Sequence, residues 1–169
     1  FVNGFPLVFI ELKAVYKNIR AGFDGNLRDY MDEHVIAHAF HHNAFLIVSN
    51  GHRARYGSIT SGWEHFAEWK RLDEDDRKGS VDAERLLNGM LAHDRLMDLV
   101  ENFILFDASK PGATRKVIAR NHQVLGVNKA RVLPAYAGAG FRANARPDAS
   151  FAVEDGKSTE SVLDYTEGM

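Results

Sequence analysis

The sequence contains no cysteine, only 4 prolines in 169 residues, and no long apolar run. The lack of cysteine excludes disulfides and thiolate metal sites, which fits a reducing compartment. No apolar run reaches the roughly 18 residues of a membrane span, and the apolar start lacks the basic region and cleavage site of a signal peptide. The net charge is only −2, so any basic surface for nucleic acid has to be local.

Two short apolar segments, each next to an Asn-Gly pair, predict strands and hairpins. Residues 5–12 are almost continuously apolar, which is typical of a strand covered on both faces. Asn3-Gly4 before them favours a type I′ turn, so we expect the chain to begin inside a hairpin. Residues 45–49 predict a second strand, and Asn50-Gly51 predicts a hairpin to a third strand over residues 52–59.

Helical periodicity predicts the remaining elements. Residues 26–40 carry apolar side chains at helical spacing, and residues 64–69 indicate a short helix. Residues 72–80 are a charged loop, and residues 81–106 predict one or two helices. Residues 115–130 indicate a strand or turn that leads into a helix. From residue 131 onward no period persists, so we expect an irregular tail.

Glu11 and Lys13 stand at the end of the first apolar strand. Side chains alternate along a strand, so both point to one face. Charges there cost desolvation energy unless they are paired, and an ion pair at a sheet edge is the simple structural interpretation. The functional interpretation is that Glu11 holds Mg²⁺ while Lys13 orients or deprotonates water and offsets charge on a phosphate. Phosphodiester hydrolysis would need a second carboxylate.

Several separated blocks resemble one family over roughly residues 1–130. These blocks are NGFPLVFIELK, FLIVSNGHRARYGSIT, WEHFAEWK, LLNGMLAHDRLMDLVENFILFD and IARNHQVLGVNKA. Together they resemble the N-terminal nuclease domain of the restriction (R) subunit of type I restriction enzymes. The resemblance implies a PD-(D/E)xK nuclease with an αβα restriction-endonuclease-like core and a mixed sheet, followed here by helices and the irregular tail. It also implies Mg²⁺-dependent cleavage of double-stranded DNA, coupled in the intact enzyme to ATP-driven translocation. The implied location is a bacterial or archaeal cytoplasm, with modification and specificity subunits as partners.

The resemblance assigns roles to four residues of the predicted core. Glu11 would be a metal ligand and Lys13 the catalytic lysine. Asn26 and Tyr30 stand at the two positions of the family's Gln-x-x-x-Tyr motif, and the shorter Asn predicts a weaker contact. The family's first catalytic Asp precedes the Asn-Gly turn, and no residue of this sequence can be assigned to that role. We therefore expect the chain by itself to bind Mg²⁺ poorly and to cut DNA weakly or not at all.

Further positions relate to DNA and to the motor. Arg53 and Arg55 follow the second turn and could neutralise DNA phosphates. Gln123 matches a glutamine that contacts adenine when the ATP-driven motor is present. Gly156-Lys157-Ser158 imitates the end of a phosphate-binding loop, but Phe151 stands where its first glycine is required, so we interpret it as chance.

These assignments divide the chain into four parts. Residues 1–75 would form the nuclease core without its first strand, and residues 76–108 a helical segment packed on it. Residues 109–130 would connect toward an absent motor, and residues 131–169 form a tail without family resemblance.

Two alternatives remain open from the sequence. The first is a non-catalytic DNA-binding or subunit-interaction module of the same fold. The second is a metal-binding protein that uses His34, His38 and His42, which share a face if residues 26–40 continue as a helix. The polar outer face of an amphipathic helix explains the same histidines without metal.

Overall fold

The computed structural model describes residues 1–72, 81–110, 112–136, 141–143 and 151–153. The chain divides into two compact units, Phe1–His122 and Gln123–Met169. The finer division predicted at residues 75, 108 and 130 stays a prediction. None of the helices in the described ranges is long and apolar enough to cross a membrane.

A three-stranded sheet forms the centre of the first unit. Its strands are β1 (Val8–Leu12), β2 (Phe45–Ser49) and β3 (Ala54–Gly57), in the order β1-β2-β3. β1 is parallel to β2, and β2 is antiparallel to β3, so the sheet is mixed as the resemblance implied. Every residue of β2 is buried, which explains its unbroken apolar sequence.

Both predicted turns are present, with different geometries. Val2 and Phe5 exchange backbone hydrogen bonds around Asn3 and Gly4, whose φ angles of 47° and 85° are those of a type I′ turn. Residues 50–53 join β2 to β3 in a longer four-residue turn, in which Gly51 has a φ of 86°. The Asn-Gly pairs therefore located both hairpins correctly.

Helical segments cover both faces of the sheet. The π-helical segment Gly22–Leu27, extended by α1 (Arg28–Tyr30), packs on the face that carries Glu11 and Val48. The opposite face, with Ile47 and Ala54, lies against α2 (Asp82–Leu91). This layered arrangement is consistent with the α/β nuclease-like fold expected from the sequence.

The continuous helix predicted over residues 26–40 is wrong. Helical structure stops at Tyr30 and resumes only as a short 3₁₀ turn, Ala37–Phe40. The Asp32 side chain accepts a hydrogen bond from the backbone N–H of His34 at 2.8 Å. Such local side-chain bonds compete with the helical backbone bonds, so the periodic apolar residues pack on the sheet from a non-helical chain.

The short helix predicted over residues 64–69 is also wrong. A 3₁₀ turn covers only Trp63–His65, and Ala67 then pairs with Tyr56 through two backbone bonds of 2.9 Å. The periodic side chains still pack, because Phe66 and Trp69 are both buried. Most of the predicted charged loop, residues 73–80, lies outside the described residues.

The later elements follow the prediction more closely. Two helices occupy residues 81–102, namely α2 and α3 (His93–Asn102), but residues 104–106 belong to β4 (Ile104–Lys110) and not to a helix. β4 pairs with β5 (Ala113–Ile118), and the predicted strand-to-helix order then continues into α4 (Asn121–Tyr136). α4 extends beyond residue 131, where an irregular tail was expected. Two short paired strands follow, β6 (Phe141–Ala143) and β7 (Phe151–Val153).

Candidate active site

Glu11 and Lys13 form a close ion pair at the end of β1. The alternation of the strand places both side chains on one face, and Lys13 Nζ lies 3.2 Å from Glu11 Oε1. The Glu11 side chain is 10% exposed and that of Lys13 is 19% exposed. The pair is thus largely shielded from water but still open on one side. An ion pair in such shielded surroundings is stronger than one on a free surface.

Gly22 lets the helical layer lie directly on this pair. A Cβ atom at Gly22 would stand 2.9 Å from Val48 Cγ1, 3.2 Å from Glu11 Cγ and 3.3 Å from Lys13 Cε. These distances leave no room for a side chain without displacing a neighbour. The missing Cβ therefore allows the π-helical segment to close one side of the site.

Asn26 joins the pair from the same segment. Its Nδ2 donates to Glu11 Oε1 at 2.7 Å, and the same nitrogen lies 3.4 Å from the Tyr30 hydroxyl. The weaker contact expected from the shorter Asn stays a prediction. Tyr30 also packs against Phe9, with ring centroids 5.9 Å apart. All four residues predicted for the site are brought together, although their catalytic and metal-binding roles stay predictions.

The described part of the chain supplies one carboxylate to this site. Its residues include no group of three His, Asp or Glu side chains arranged to hold a metal ion. Glu11 Oε1 already accepts a hydrogen bond from Asn26 and forms the ion pair with Lys13. Because Mg²⁺ takes about six oxygen ligands, these side chains alone do not form a complete Mg²⁺ site.

Arg55 and Arg53, the predicted DNA contacts, have different surroundings. Arg55 is opposite Val48 in the sheet register, and Val48 is opposite Glu11, so Arg55 and Glu11 share a face. Its guanidinium lies 3.4 Å from Glu68 and 5.2 Å from the Trp63 ring centroid. Arg53 is exposed in the β2–β3 turn. Arg53 is therefore better placed to meet a phosphate without first breaking an ion pair.

The histidine face expected for a metal site does not form. His34 lies in a turn, His38 in the 3₁₀ turn and His42 beyond it, so the helical spacing that would align them is absent. His42 instead packs its ring edge-on against Phe5, with centroids 5.4 Å apart. The prediction of a shared histidine face is wrong because the helix that carried it ends at Tyr30.

Gln123 and the chance Gly156-Lys157-Ser158 sequence are the two positions that were related to a motor. Gln123 is in α4, at the start of the second unit. Gly156-Lys157-Ser158 lies outside the described residues. The adenine-contacting role of Gln123 stays a prediction.

Two residues at the site were missed by sequence reasoning. Gly22 is one, and Asn50 is the other: its side chain donates to the backbone oxygens of Val15 and Lys17 at 3.1 and 2.9 Å. Gly22 follows the end of β1 by ten residues, and a glycine at that distance from a strand gives no sequence signal by itself. Asn50 was interpreted only as a turn former, and its long-range bonds are visible only in the fold.

Residues 1–65 match the family model of the type I restriction enzyme R protein N terminus. These residues belong to the type I restriction enzyme R protein family. The match includes β1, the π-helical segment and the β2–β3 hairpin, and so all four residues assembled around Glu11.

Two curated relatives extend the match beyond residue 65. The type I restriction enzyme HindI endonuclease subunit of Haemophilus influenzae is 37% identical over 137 aligned positions covering 77% of this chain. A provisionally named type I restriction enzyme MjaIXP endonuclease subunit of Methanocaldococcus jannaschii is 26% identical, again over 77% of this chain. The aligned part is only 13% and 14% of those two proteins. The R-protein family resemblance thus continues past the segment matched by the family model.

Proposed function

We propose that residues 1–130 are most of the nuclease domain, with the connector toward the motor, of a type I restriction R subunit that cuts double-stranded DNA. The observation that carries this proposal is the Glu11–Lys13 pair at 3.2 Å, held by Asn26 on one face of the sheet. The names of the relatives, both endonuclease subunits of type I restriction enzymes, support the same reaction. In the intact enzyme this activity is coupled to ATP-driven translocation, and modification and specificity subunits are its partners in the cytoplasm.

The residues of this chain have distinct parts in the reaction. Glu11 fixes the Lys13 ammonium in a largely buried position, and Asn26 fixes the Glu11 carboxylate in turn. From there the ammonium can orient the attacking water and offset negative charge that develops on the scissile phosphate. Tyr30 positions Asn26 from one helical turn away. This arrangement is preorganised, so little rearrangement is needed when DNA arrives.

Mg²⁺ is the proposed cofactor, and it would polarise the phosphate when bound. Glu11 is the residue of this chain that would ligate it. The remaining ligands would come from water, from the DNA phosphate or from residues outside the described ranges. For this reason we expect the chain alone to cut supercoiled plasmid weakly or not at all with Mg²⁺.

A hybrid enzyme tests the proposal. The matched segment of the Haemophilus subunit would be replaced by residues 1–130 of this chain and assayed with its partner subunits. We expect plasmid linearisation that requires Mg²⁺ and ATP. Glu11→Gln and Lys13→Ala should each lower cleavage at least a hundredfold while ATP hydrolysis is unchanged, because positioned general acid–base groups contribute about 10²–10⁴-fold.

His38→Ala is the matched control, since this exposed residue lies outside the site, and it should cut like the parent hybrid. Cleavage that survives both Glu11→Gln and Lys13→Ala would refute the assignment of the site. The second candidate function, a non-catalytic DNA-binding or subunit-interaction module, is favoured by the single carboxylate that the described residues supply. A hybrid that assembles and hydrolyses ATP but never cuts would support it.

A further inference from the structure

Residues 14–21 form a loop, already helical at residues 20 and 21, whose two ends meet at the Glu11–Lys13 pair. The loop leaves β1 directly after Lys13 and returns at Gly22, where a Cβ atom would stand 3.3 Å from Lys13 Cε. A tight turn starts the loop, with the backbone N–H of Lys17 bonded to the oxygen of Ala14 at 2.8 Å. The 14–21 loop is therefore attached at both ends to the segments that hold the pair.

Asn50 fastens the 14–21 loop to the turn between β2 and β3. Its Nδ2 donates to the oxygens of Val15 and Lys17, at 3.1 and 2.9 Å. Its Oδ1 accepts from the backbone N–H groups of His52 and Arg53, at 3.2 and 2.9 Å. Asn50 is 9% exposed, so these four bonds are sheltered from water. One buried amide thus holds both loops in fixed positions next to the site.

The side chains that these loops present to solvent include an aromatic ring, an aliphatic group and two cations. Tyr16 is 85% exposed and Val15 is 59% exposed. Lys17 Nζ lies 5.8 Å from the centroid of the Tyr16 ring, so the cation and the ring are already arranged side by side. Arg53 is exposed on the adjoining turn. Residues 14–21 and 50–53 contain no acidic residue, although the chain as a whole is slightly acidic.

We propose that the 14–21 loop and the adjoining turn bind the DNA that enters this site. Lys17 and Arg53 contact phosphates, and Tyr16 packs its ring against a sugar or base beside the scissile bond. This inference rests on the proposed nuclease function. The exposed cations Lys17 and Arg53 favour a polyanion over a protein surface, and an exposed ring suits stacking that is tolerant of sequence. The rigid mounting by Asn50 lowers the entropy lost when DNA binds.

DNA affinity, measured apart from cleavage, tests this proposal. The chain is titrated into a short fluorescent duplex in EDTA, with anisotropy read between about 50 and 200 mM NaCl. Tyr16→Ala should weaken binding about tenfold at every salt concentration, because stacking does not release counterions. Tyr16→Phe keeps the ring and should bind like the parent chain.

Lys17→Ala should change the salt dependence instead. Removing one phosphate contact should reduce the slope of log K against log salt by about 0.9. Lys70→Ala removes an exposed lysine outside both loops and serves as the control, with the parent slope expected. Circular dichroism checks that each variant folds, which the exposure of Tyr16 and Lys17 makes the expected result.

The outcomes separate this proposal from the proposed function. If the parent chain does not bind the duplex, or if neither loop variant changes binding, the loop proposal is overturned whatever the hybrid enzyme does. Loop variants that bind DNA normally but no longer join the partner subunits would assign the loop to protein contact, and would overturn it as well. Loop-dependent DNA binding together with cleavage that ignores Glu11 and Lys13 would instead overturn the nuclease site alone.

Discussion

At the scale of single residues, the surroundings of the polar side chains decide how those side chains are held. Glu11, Lys13 and Asn26 satisfy one another's charges and hydrogen-bonding groups in a partly closed site. An isolated ion pair on an exposed surface would not be held in this way. The sequence was sufficient to predict that Glu11 and Lys13 share a face, because strand alternation is local. It was not sufficient to predict Gly22 or Asn50, whose roles depend on which distant backbone comes to rest beside them.

Tyr56 gives a prediction at this scale. It is buried against Trp69 and donates its hydroxyl to the Ala119 oxygen at 3.0 Å, and burial raises its pKa above the usual range. A raised pKa in the folded state gives stability that is complete below about pH 10, the pKa of the unfolded chain, and that is lost as pH rises further. Tyr56→Phe should therefore cost about 1 kcal/mol at pH 7 and less above pH 10.

Urea unfolding at about pH 7 and pH 10.5 measures this difference. Tyr16→Phe, which removes an exposed hydroxyl, should leave the free energy of unfolding unchanged at both values. A Tyr56→Phe cost that stays constant across this range would show that the buried hydroxyl does not resist ionisation.

Secondary-structure elements were predictable where their signals are local. Asn3-Gly4 and Asn50-Gly51 located both hairpins, and the periodicity of residues 81–102 located α2 and α3. Periodicity failed over residues 31–36, because Asp32 bonds the His34 backbone, and over residues 64–69, because Ala67 pairs with Tyr56. In both places a competing hydrogen bond determined the backbone conformation. The apolar spacing determined only which side chains are buried.

The π-helical segment offers a matched pair of glycines for a test. At Gly22 a Cβ would approach Val48 Cγ1 to 2.9 Å, whereas at Gly25 a Cβ would have no neighbour within 4 Å. Gly22→Ala should destabilise the protein by about 1–3 kcal/mol through overpacking. Gly25→Ala should be neutral or stabilising by up to about 1 kcal/mol, because alanine favours helix.

Urea denaturation of the two variants measures both effects. In the hybrid enzyme, Gly22→Ala should also lower cleavage, since Glu11 and Lys13 would have to move. Equal free energies of unfolding for the two variants would show that the helical layer does not pack closely on the site at Gly22.

At the scale of the whole molecule, the chain combines a small net charge with a strand that has a neighbour on one side only. β1 is the edge of the described three-stranded sheet, and its Ile10 and Leu12 are 39% and 69% exposed. The part of the two relatives that aligns with this chain is 13% and 14% of their length.

Edge strands with unpaired backbone groups and apolar side chains tend to add a further strand from another molecule. A net charge of −2 at pH 7 offers little repulsion to prevent this. We predict that the purified chain forms higher oligomers as its concentration increases, as measured by light scattering. Leu12→Lys should suppress them, whereas Val35→Lys, at an exposed position off the sheet, should not.

The open edge of β1 also makes protein concentration important in every assay of this chain. Aggregates that add strands at this edge would bury Leu12 and crowd the end of β1, where an added duplex has to approach. Dilute samples are therefore the ones in which solution behaviour reports on a single molecule.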